Sequence, residues 1–376
     1  MYVYKKKTLR ILFTIVDAIG GALFFCLKRR KPDTSAIKKI LVIRLDHIGD
    51  LVNASVVFAP LRRYFPGSTI EILCSPAGKE LYGCNPDIDK INVFKAPWFS
   101  RDKTGFKETL RQFFLLVKII REGEYGLCFD LRGDFRHILA MFFSGVRCRV
   151  GYGITGGGFL LTREVPYAGL VHEQVRNLRL LGAVGVKEEE PKVDIRADGN
   201  GEKKARNIAI GYCSGEQYCI IHMFPGHPTK RWSLDRFADI IKYIKDEKRL
   251  MPVLVGAEAD RKYMEGFRSR PGSDYIDVIG HADLGTVYHL CRCARMFIGV
   301  DSGPAHIAAA SGVRCIVLFS GVNAPEEWAP LGTNVRVICP GKNRDLSVVQ
   351  VKEVCEIIDE YINLSERSPS KDGIFR

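Results

Sequence analysis

Short β-branched runs alternate with helix-periodic stretches along most of the chain, and the alternation begins twice. Lys39–Arg44 (KILVIR) and Thr69–Cys74 (TIEILC) have the continuous apolar character of strands buried on both faces. Between them, residues 51–64 carry helical period up to the turn at Pro66-Gly67. Residues 110–121 predict a helix and 126–131 the next strand. A charged, Gly-containing stretch at 187–217 interrupts the pattern, which then resumes with strands at 217–223, 251–256, 295–300 and 315–319. Helices are expected at 233–245, from Pro304 onward, and over 347–364. Alternation of this kind demands parallel sheets covered by helices on both faces. Two series predict two doubly wound domains in tandem, with ligands in a cleft facing the carboxyl ends of both sheets. The expected division is a terminal segment 1–35, a first domain 36–190, a connection 191–216, a second domain 217–345 and a closing helix and tail 346–376.

The chain's 376 residues suffice for two such domains, and 46% apolar with 26% charged residues excludes disordered, collagen-like and coiled-coil chains. The formal charge of +13 is uneven: residues 1–31 hold Lys5, Lys6, Lys7, Arg10 and Lys28 to Lys31 against Asp17, a net of +7. Between Arg10 and Lys28 runs ILFTIVDAIGGALFFCL, apolar except for Thr14 and Asp17. A spanning helix needs ~20 apolar residues, so this run is at the short limit. On a helical wheel Arg10, Thr14, Asp17, Gly21 and Lys28 share one stripe, which suits a helix lying in the interface of an anionic membrane surface. A single membrane span and a signal peptide compete with that reading; no small-x-small cleavage site precedes KRRKPDTS. The twelve cysteines are scattered, and the close pair Cys291-x-Cys293 has no second pair near it, so a reducing compartment is expected rather than zinc or a disulfide framework. The expected location is the cytoplasmic face of the inner membrane, peripheral or monotopic.

Three strand-end motifs carry possible chemistry. In Val300-Asp301-Ser302-Gly303-Pro304-Ala305-His306 a strand ends in a tight turn, and Pro304 suits the start of a helix. Ser302 and Gly303 then offer amides and a hydroxyl at a positive helix end, with His306 as a further donor to an anion. The structural alternative is a capped helix with a partly buried histidine. The loop Pro225-Gly226-His227-Pro228-Thr229-Lys230-Arg231 begins where strand 217–223 ends. Lys230 and Arg231 suit phosphate oxygens, although a solvated basic loop would look the same. Finally, Arg44-Leu45-Asp46-His47-Ile48-Gly49-Asp50 places Asp46, His47 and Asp50 on one turn, with Gly49 permitting close backbone approach. Asp50 at a helix start is expected to stay ionised through the helix dipole and to accept a proton from a hydroxyl; a helix cap is the alternative. Gly151-Tyr152-Gly153-Ile154-Thr155-Gly156 also satisfies G-x-G-x-x-G, but it follows no first strand and opens no helix, so a dinucleotide site is not expected.

Taken in order, these elements resemble the lipopolysaccharide heptosyltransferases, glycosyltransferase family 9, over roughly residues 38–345. ILVIRLDHIGDLV resembles the family's opening strand and turn, which implies that Asp50 is the catalytic base. PGHPTKRW resembles its donor-phosphate loop, implying a diphosphate role for Lys230 and Arg231. VDSGPAHIAAA is the most specific run and implies nucleotide-sugar contacts for Asp301, Ser302, Gly303 and His306. Val255-Gly256-Ala257-Glu258 resembles a nucleoside-contacting segment, which makes Glu258 a candidate for a ribose hydroxyl. FDLRGDFR (129–136) and HEQVRNL (172–178) resemble acceptor-side segments, so Asp130 and Arg136 join Gly49 on that side. The implied fold is α/β of the GT-B arrangement, with a closing helix that often returns to the first domain. The added N-terminal helix departs from the family.

The resemblance implies an inverting transferase that needs no bound metal or other cofactor. It would move a sugar, expected to be heptose from ADP-heptose, to a hydroxyl of a lipopolysaccharide-type or lipid-linked glycan. The alternatives are a non-catalytic nucleotide-sugar-binding protein of envelope glycan assembly, or the same fold with another sugar donor. No nucleic-acid partner is expected, because the basic excess sits beside an apolar helix and no base-stacking motif is present.

Overall fold

A computed structural model describes residues 7–23, 37–100, 104–167, 169–187, 190–213, 217–268 and 275–366. The chain divides after Asp194 into two compact units. In the first, strands β1 (Lys39–Arg44), β2 (Thr69–Cys74), β3 (Lys90–Val93), β4 (Leu127–Asp130), β5 (Cys148–Gly151) and β6 (Arg163–Glu164) form one parallel sheet. Their order is β3-β2-β1-β4-β5-β6. Its helices are α1 (Lys7–Leu23), α2 (Ile48–Ala54), α3 (Phe58–Tyr64), α4 (Pro76–Tyr82), α5 (Phe106–Glu122), α6 (Phe135–Phe143) and α7 (Glu173–Gly182). The single helix expected over 51–64 is α2 and α3 joined by a 3-10 turn at Ser55–Val57. Leu116 and Ile120 of α5 and Ile138 and Met141 of α6 pack with Leu41 and Ile43 of β1 in one core.

The second unit repeats the design. Its strands β7 (Tyr218–His222), β8 (Met251–Leu254), β9 (Ile276–Asp277), β10 (Met296–Val300), β11 (Arg314–Leu318) and β12 (Val335–Ile338) are ordered β12-β11-β10-β7-β8-β9, again all parallel. The helices are α8 (Gly199–Cys213), α9 (Leu234–Lys248), α10 (Glu265–Arg268), α11 (Leu284–Cys293), α12 (Gly303–Ser311), α13 (Pro325–Trp328) and α14 (Val351–Glu366). In both sheets the order reverses direction between the first and fourth strands, and such switch points are where open α/β sheets bind ligands. Asp50 follows β1 beside β4, while Lys230 follows β7 and Asp301 follows β10.

Three expectations are revised. The stretch expected as an inter-domain connection contains α8, which packs on α11, with Gly201 so close to the Gly285 backbone that a Cβ would lie 2.7 Å from it. Within the second unit, α14 packs on α9 and β11; Asp359 accepts from Tyr243 at 2.7 Å and pairs with Lys248 at 2.6 Å. Helix α1 rests on the first unit instead of turning its polar stripe outward. Phe13 meets Phe135 edge-on at 5.3 Å, and the Gly157 amide donates to the Asp17 carboxylate at 2.7 Å. A Cβ on Gly20 would lie 2.5 Å from the Phe159 ring.

The glycine run 151–158 is therefore the seat of α1. Gly156 and Gly157 adopt φ of +96° and +78°, and a side chain on Gly156 would collide with Phe13. Among the described residues no helix is long and apolar enough to cross a membrane, and residues 24–27 of the apolar run lie outside them. The basic groups Lys5, Lys6 and Lys28–Lys31, the linker after them and the tail 367–376 lie outside the described residues.

Gly299 lies in the central strand β10, and a Cβ there would sit 2.8 Å from the His222 carbonyl oxygen and 2.9 Å from the Phe297 ring. The carbonyl belongs to the paired backbone of β7 and cannot turn aside. Gly299→Ala is expected to lower unfolding free energy by about 1–3 kcal/mol, read by urea denaturation of the full chain.

Candidate active site

Arg44 ends β1 fully inside the first unit, and each edge of its guanidinium meets a different carboxylate. Nε donates to Asp46 at 2.7 Å, Nη1 to Glu173 at 2.9 Å, and Nη2 to the Asp50 Oδ1 at 2.9 Å. Nη1 also reaches the Leu131 carbonyl at 3.2 Å. Arg132 closes the network on the second Asp46 oxygen, and Arg176 pairs with the second Glu173 oxygen at 3.0 Å. Local sequence explains each position: Asp46 and Asp50 lie on the β1–α2 turn, Arg132 just after β4, and Glu173 and Arg176 in the first turn of α7. Helix α7 is docked on α2 through amides, with Gln174 donating to the Asn53 side chain at 3.0 Å and Asn177 to the Asn53 carbonyl at 3.1 Å.

The electrostatics separate the two aspartates. Burial works against Asp46's charge, but Arg44 and Arg132 prevail and hold its carboxyl below the usual range. Asp50 has only part of one guanidinium. Burial first, and then the charges of Asp46 and Glu173, push its pKa up to about 7 against the pull of Arg44 and Arg132. This corrects the expectation that the helix dipole keeps Asp50 ionised: α2 is only seven residues long, and burial with two acidic neighbours outweighs it. One Asp50 oxygen is held by Arg44; the other makes no hydrogen bond among the described residues. A carboxylate with one oxygen fixed, one unengaged and a pKa near neutrality is well matched to taking a proton from a hydroxyl. His47, expected to join Asp46 and Asp50, is exposed at the N-cap of α2.

The acceptor-side candidates divide. Gly49 lies half-buried beside Asp50 in α2. Asp130 is fully buried, and its oxygens accept from the Asp134 amide at 2.8 Å and meet His137 Nδ1 at 3.0 Å; it braces the β4–α6 turn. Arg136 is partly exposed, donates to the Asp134 carboxylate at 2.8 Å and lies over the Trp98 and Phe99 rings at 5.0 and 5.4 Å.

In the second unit Lys230 Nζ and Asp301 Oδ2 are 2.5 Å apart, so the pair bridges the strand ends at the switch point. Ser302 turns its hydroxyl back to the Val300 carbonyl at 3.0 Å, and no side chain caps α12. Pro304 lacks an amide, which leaves the Ser302 and Gly303 N–H groups as donors at a positive helix end. His306 is buried in the same first turn. Arg231 points elsewhere: Nη2 donates to the Tyr263 hydroxyl at 3.1 Å, with the guanidinium over that ring. Glu258 starts the same 258–263 turn, exposed and paired with Arg261 at 3.0 Å. Lys230, Asp301, Ser302, Gly303 and His306 thus form one group, and Arg231 and Glu258 lie at a second.

Sequence reasoning missed Arg44, Glu173 and Arg132 as members of the Asp50 cluster. Their signal was a charged residue ending a buried strand, and a polar helix start whose partners are more than a hundred residues away.

A sequence profile of glycosyltransferase family 9 (heptosyltransferase) matches residues 113–355, well over half the chain. That segment includes the second-unit motifs and α7 but not the β1–α2 turn. Lipopolysaccharide heptosyltransferase 3 of Escherichia coli is 23% identical over 86% of this chain and 98% of its own length. Among solved structures, a family 9 glycosyl transferase from Veillonella parvula superposes with a TM-score of 0.76 at 19% identity, covering 87% of this chain and 98% of that one. The E. coli ADP-heptose lipopolysaccharide heptosyltransferase II gives 0.72 at 19%, covering 88% and 100%. At such identities the superpositions establish the fold, two parallel six-stranded sheets.

The raised pKa of Asp50 has a definite sign in stability. A carboxyl whose folded pKa exceeds its unfolded one is favoured neutral by the fold, so its ionisation costs stability, fully so above about pH 7. Asp50→Asn is therefore expected to raise Tm relative to the parent by about 2–4 °C or more at pH 8, with the gap closing toward pH 5, in paired thermal melts.

Proposed function

Because this chain belongs to glycosyltransferase family 9 (heptosyltransferase) and is a glycosyltransferase of heptosyltransferase type, we propose that it moves heptose from ADP-heptose to a hydroxyl of a lipid-linked glycan of the lipopolysaccharide kind. The observation that carries this reading is Asp50: buried, near-neutral in pKa, one oxygen clamped by Arg44 and the other unengaged. The ADP-heptose donor is suggested by the related lipopolysaccharide heptosyltransferase II. On this proposal the reaction occurs at the cytoplasmic face of the inner membrane, a reading supported by the net +7 of residues 1–31 and the scattered cysteines.

Asp50 accepts the proton of the acceptor hydroxyl as its oxygen forms a bond to the anomeric carbon. On the opposite side the bond from that carbon to the diphosphate oxygen breaks, and the electron pair leaves with ADP, so configuration inverts. Lys230 and the open end of α12 meet the charge that develops on the diphosphate, with Asp301 holding Lys230 in place until the donor arrives. Arg44 keeps the Asp50 oxygen fixed, and Glu173 fixes Arg44. Glu173 also helps hold the Asp50 pKa near neutrality, where a base is strong enough to act yet available at working pH.

Three measurements test this. Incubation with a panel of nucleotide sugars and lipid-linked acceptor, scored by release of nucleoside diphosphate, is expected to select ADP-heptose; turnover with no activated sugar would remove the enzyme reading. Asp50→Ala is expected to cut kcat by about 10²–10⁴-fold while ADP still shifts Tm as in the parent. In the parent, kcat/KM is expected to rise with pH through about 7 as Asp50 ionises. Glu173→Gln removes one of the charges that raise Asp50 and should move that limb to lower pH; an unmoved limb would dissociate Glu173 from the base.

A further inference from the structure

Helix α5 shows an outer face that its place in a soluble core does not explain. Its inner arc, Leu116, Val117 and Ile120, is buried against the sheet. At about 100° per residue, the arc next to it carries Leu110, Arg121, Phe114, Lys107, Lys118 and Arg111, all exposed. Arg111 pairs with Glu108 at 2.9 Å and Lys118 with Glu122 at 3.7 Å, so the face carries four basic groups against two flanking acids. Phe114 is 61% exposed, and Phe106, at the helix start, 81%. Phe143, at the end of α6, is 52% exposed beside Arg121, which donates to its carbonyl at 2.8 Å. Large apolar side chains among basic stems that can reach past them is the pattern of a helix face lying in a lipid interface.

Helix α1, beside α6, presents an apolar outer face. Its docking side, Phe13, Asp17 and Gly20, faces the α6 start and the 156–159 turn, and this leaves Ile11, Leu12, Ile15, Ile19 and Leu23 more than half exposed. Both helices touch α6 or its flank: α5 shares its core, and Phe13 lies against Phe135. The Asp17–Gly157 bond and the Phe13 contact fix α1 to the body of the unit. We propose that the outer faces of α1 and α5 form one platform that lays the first unit on an anionic lipid bilayer. Charge favours lipid over a second copy, since the α5 face keeps a basic excess and residues 1–31 carry a net +7, so two copies repel while an anionic surface attracts. The platform rests on the reading that residues 1–31 hold the chain on a membrane, and it adds a second contact that sets the unit's orientation. Interfacial binding grows with the apolar area buried and with attraction to anionic lipid, so a second face strengthens the attachment.

The test is co-sedimentation of the full chain with vesicles of phosphatidylcholine alone or with about one third phosphatidylglycerol. The parent is expected to bind the anionic vesicles and to be released by salt. The double variant Leu110→Glu/Phe114→Glu is expected to partition about tenfold or more weakly, with ADP-induced Tm shift unchanged. If that variant does not fold, Lys107→Gln/Arg111→Gln/Lys118→Gln reads the same loss through charge alone. Undiminished binding of the α5 variants while the parent binds would overturn the platform and leave residues 1–31 as the whole attachment. No binding by the parent would remove both. Sedimentation velocity without lipid is the control: a parent dimer that the α5 variants dissociate, with vesicle binding unaltered, would assign the face to self-association and sink the proposal.

Discussion

The first unit is organised around one buried guanidinium. Arg44 cannot lose its proton and cannot stay inside the protein without anions, so the fold brings it Asp46, Asp50 and Glu173 from two separate stretches of chain. Everything near the switch point of the first sheet follows from meeting that charge. The β1–α2 turn folds back over the strand end, α7 is drawn in by Glu173, and Arg132 and Arg176 balance the carboxylates that Arg44 shares. Three acids around three arginines form a balanced set only when all the acids are ionised. Asp50 is the outermost of them, with the weakest claim on cationic partners, and so it is the acid whose proton is cheapest to keep. The same arrangement that satisfies Arg44 therefore produces a carboxyl of near-neutral pKa at a strand end.

The second unit repeats the topology and brings a cation–acid pair to its switch point. Lys230 and Asp301 come from loops after neighbouring strands, and each neutralises the other in the absence of ligand. A diphosphate arriving at the α12 end would compete with Asp301 for Lys230, so the pair preorganises the cation without leaving it bare. Ser302 contributes by what it does not do. With its hydroxyl returned to Val300, the helix end stays uncapped and its amides remain directed outward.

Glycine has a different use at the N-terminal helix. The 151–158 run looks like a nucleotide fingerprint but serves as a recess that Phe13 enters, with positive φ at Gly156 and Gly157 turning an amide toward Asp17. An acid within a short apolar segment had suggested a polar stripe facing headgroups. It is instead a latch to the protein, and the consequence is that the apolar side of α1 faces outward.

Much of the fold was legible in the residues themselves. Strands β1 and β2, the strand ends bearing Asp50, Lys230 and Asp301, and two parallel α/β units all follow from period, β-branching and turn chemistry, which are local. Residue types at the three strand ends suggested a base and an anion grip, the roles proposed for them above. The short edge strands β3, β6 and β9 carry too few residues for a period to register. Helix α7 was noted through resemblance alone: Glu173, Gln174, Arg176 and Asn177 are polar types that water ordinarily covers, and all four are buried. Only tertiary structure decided that, because a polar helix face becomes interior solely when partners such as Arg44 and Asn53 lie opposite it. Tertiary structure alone also set the Asp50 pKa, the capture of α1 by the glycine recess, the parting of Arg231 from Lys230 and the place of α14. Each depends on charges or surfaces brought together from distant parts of the chain, and no local pattern encodes their distance.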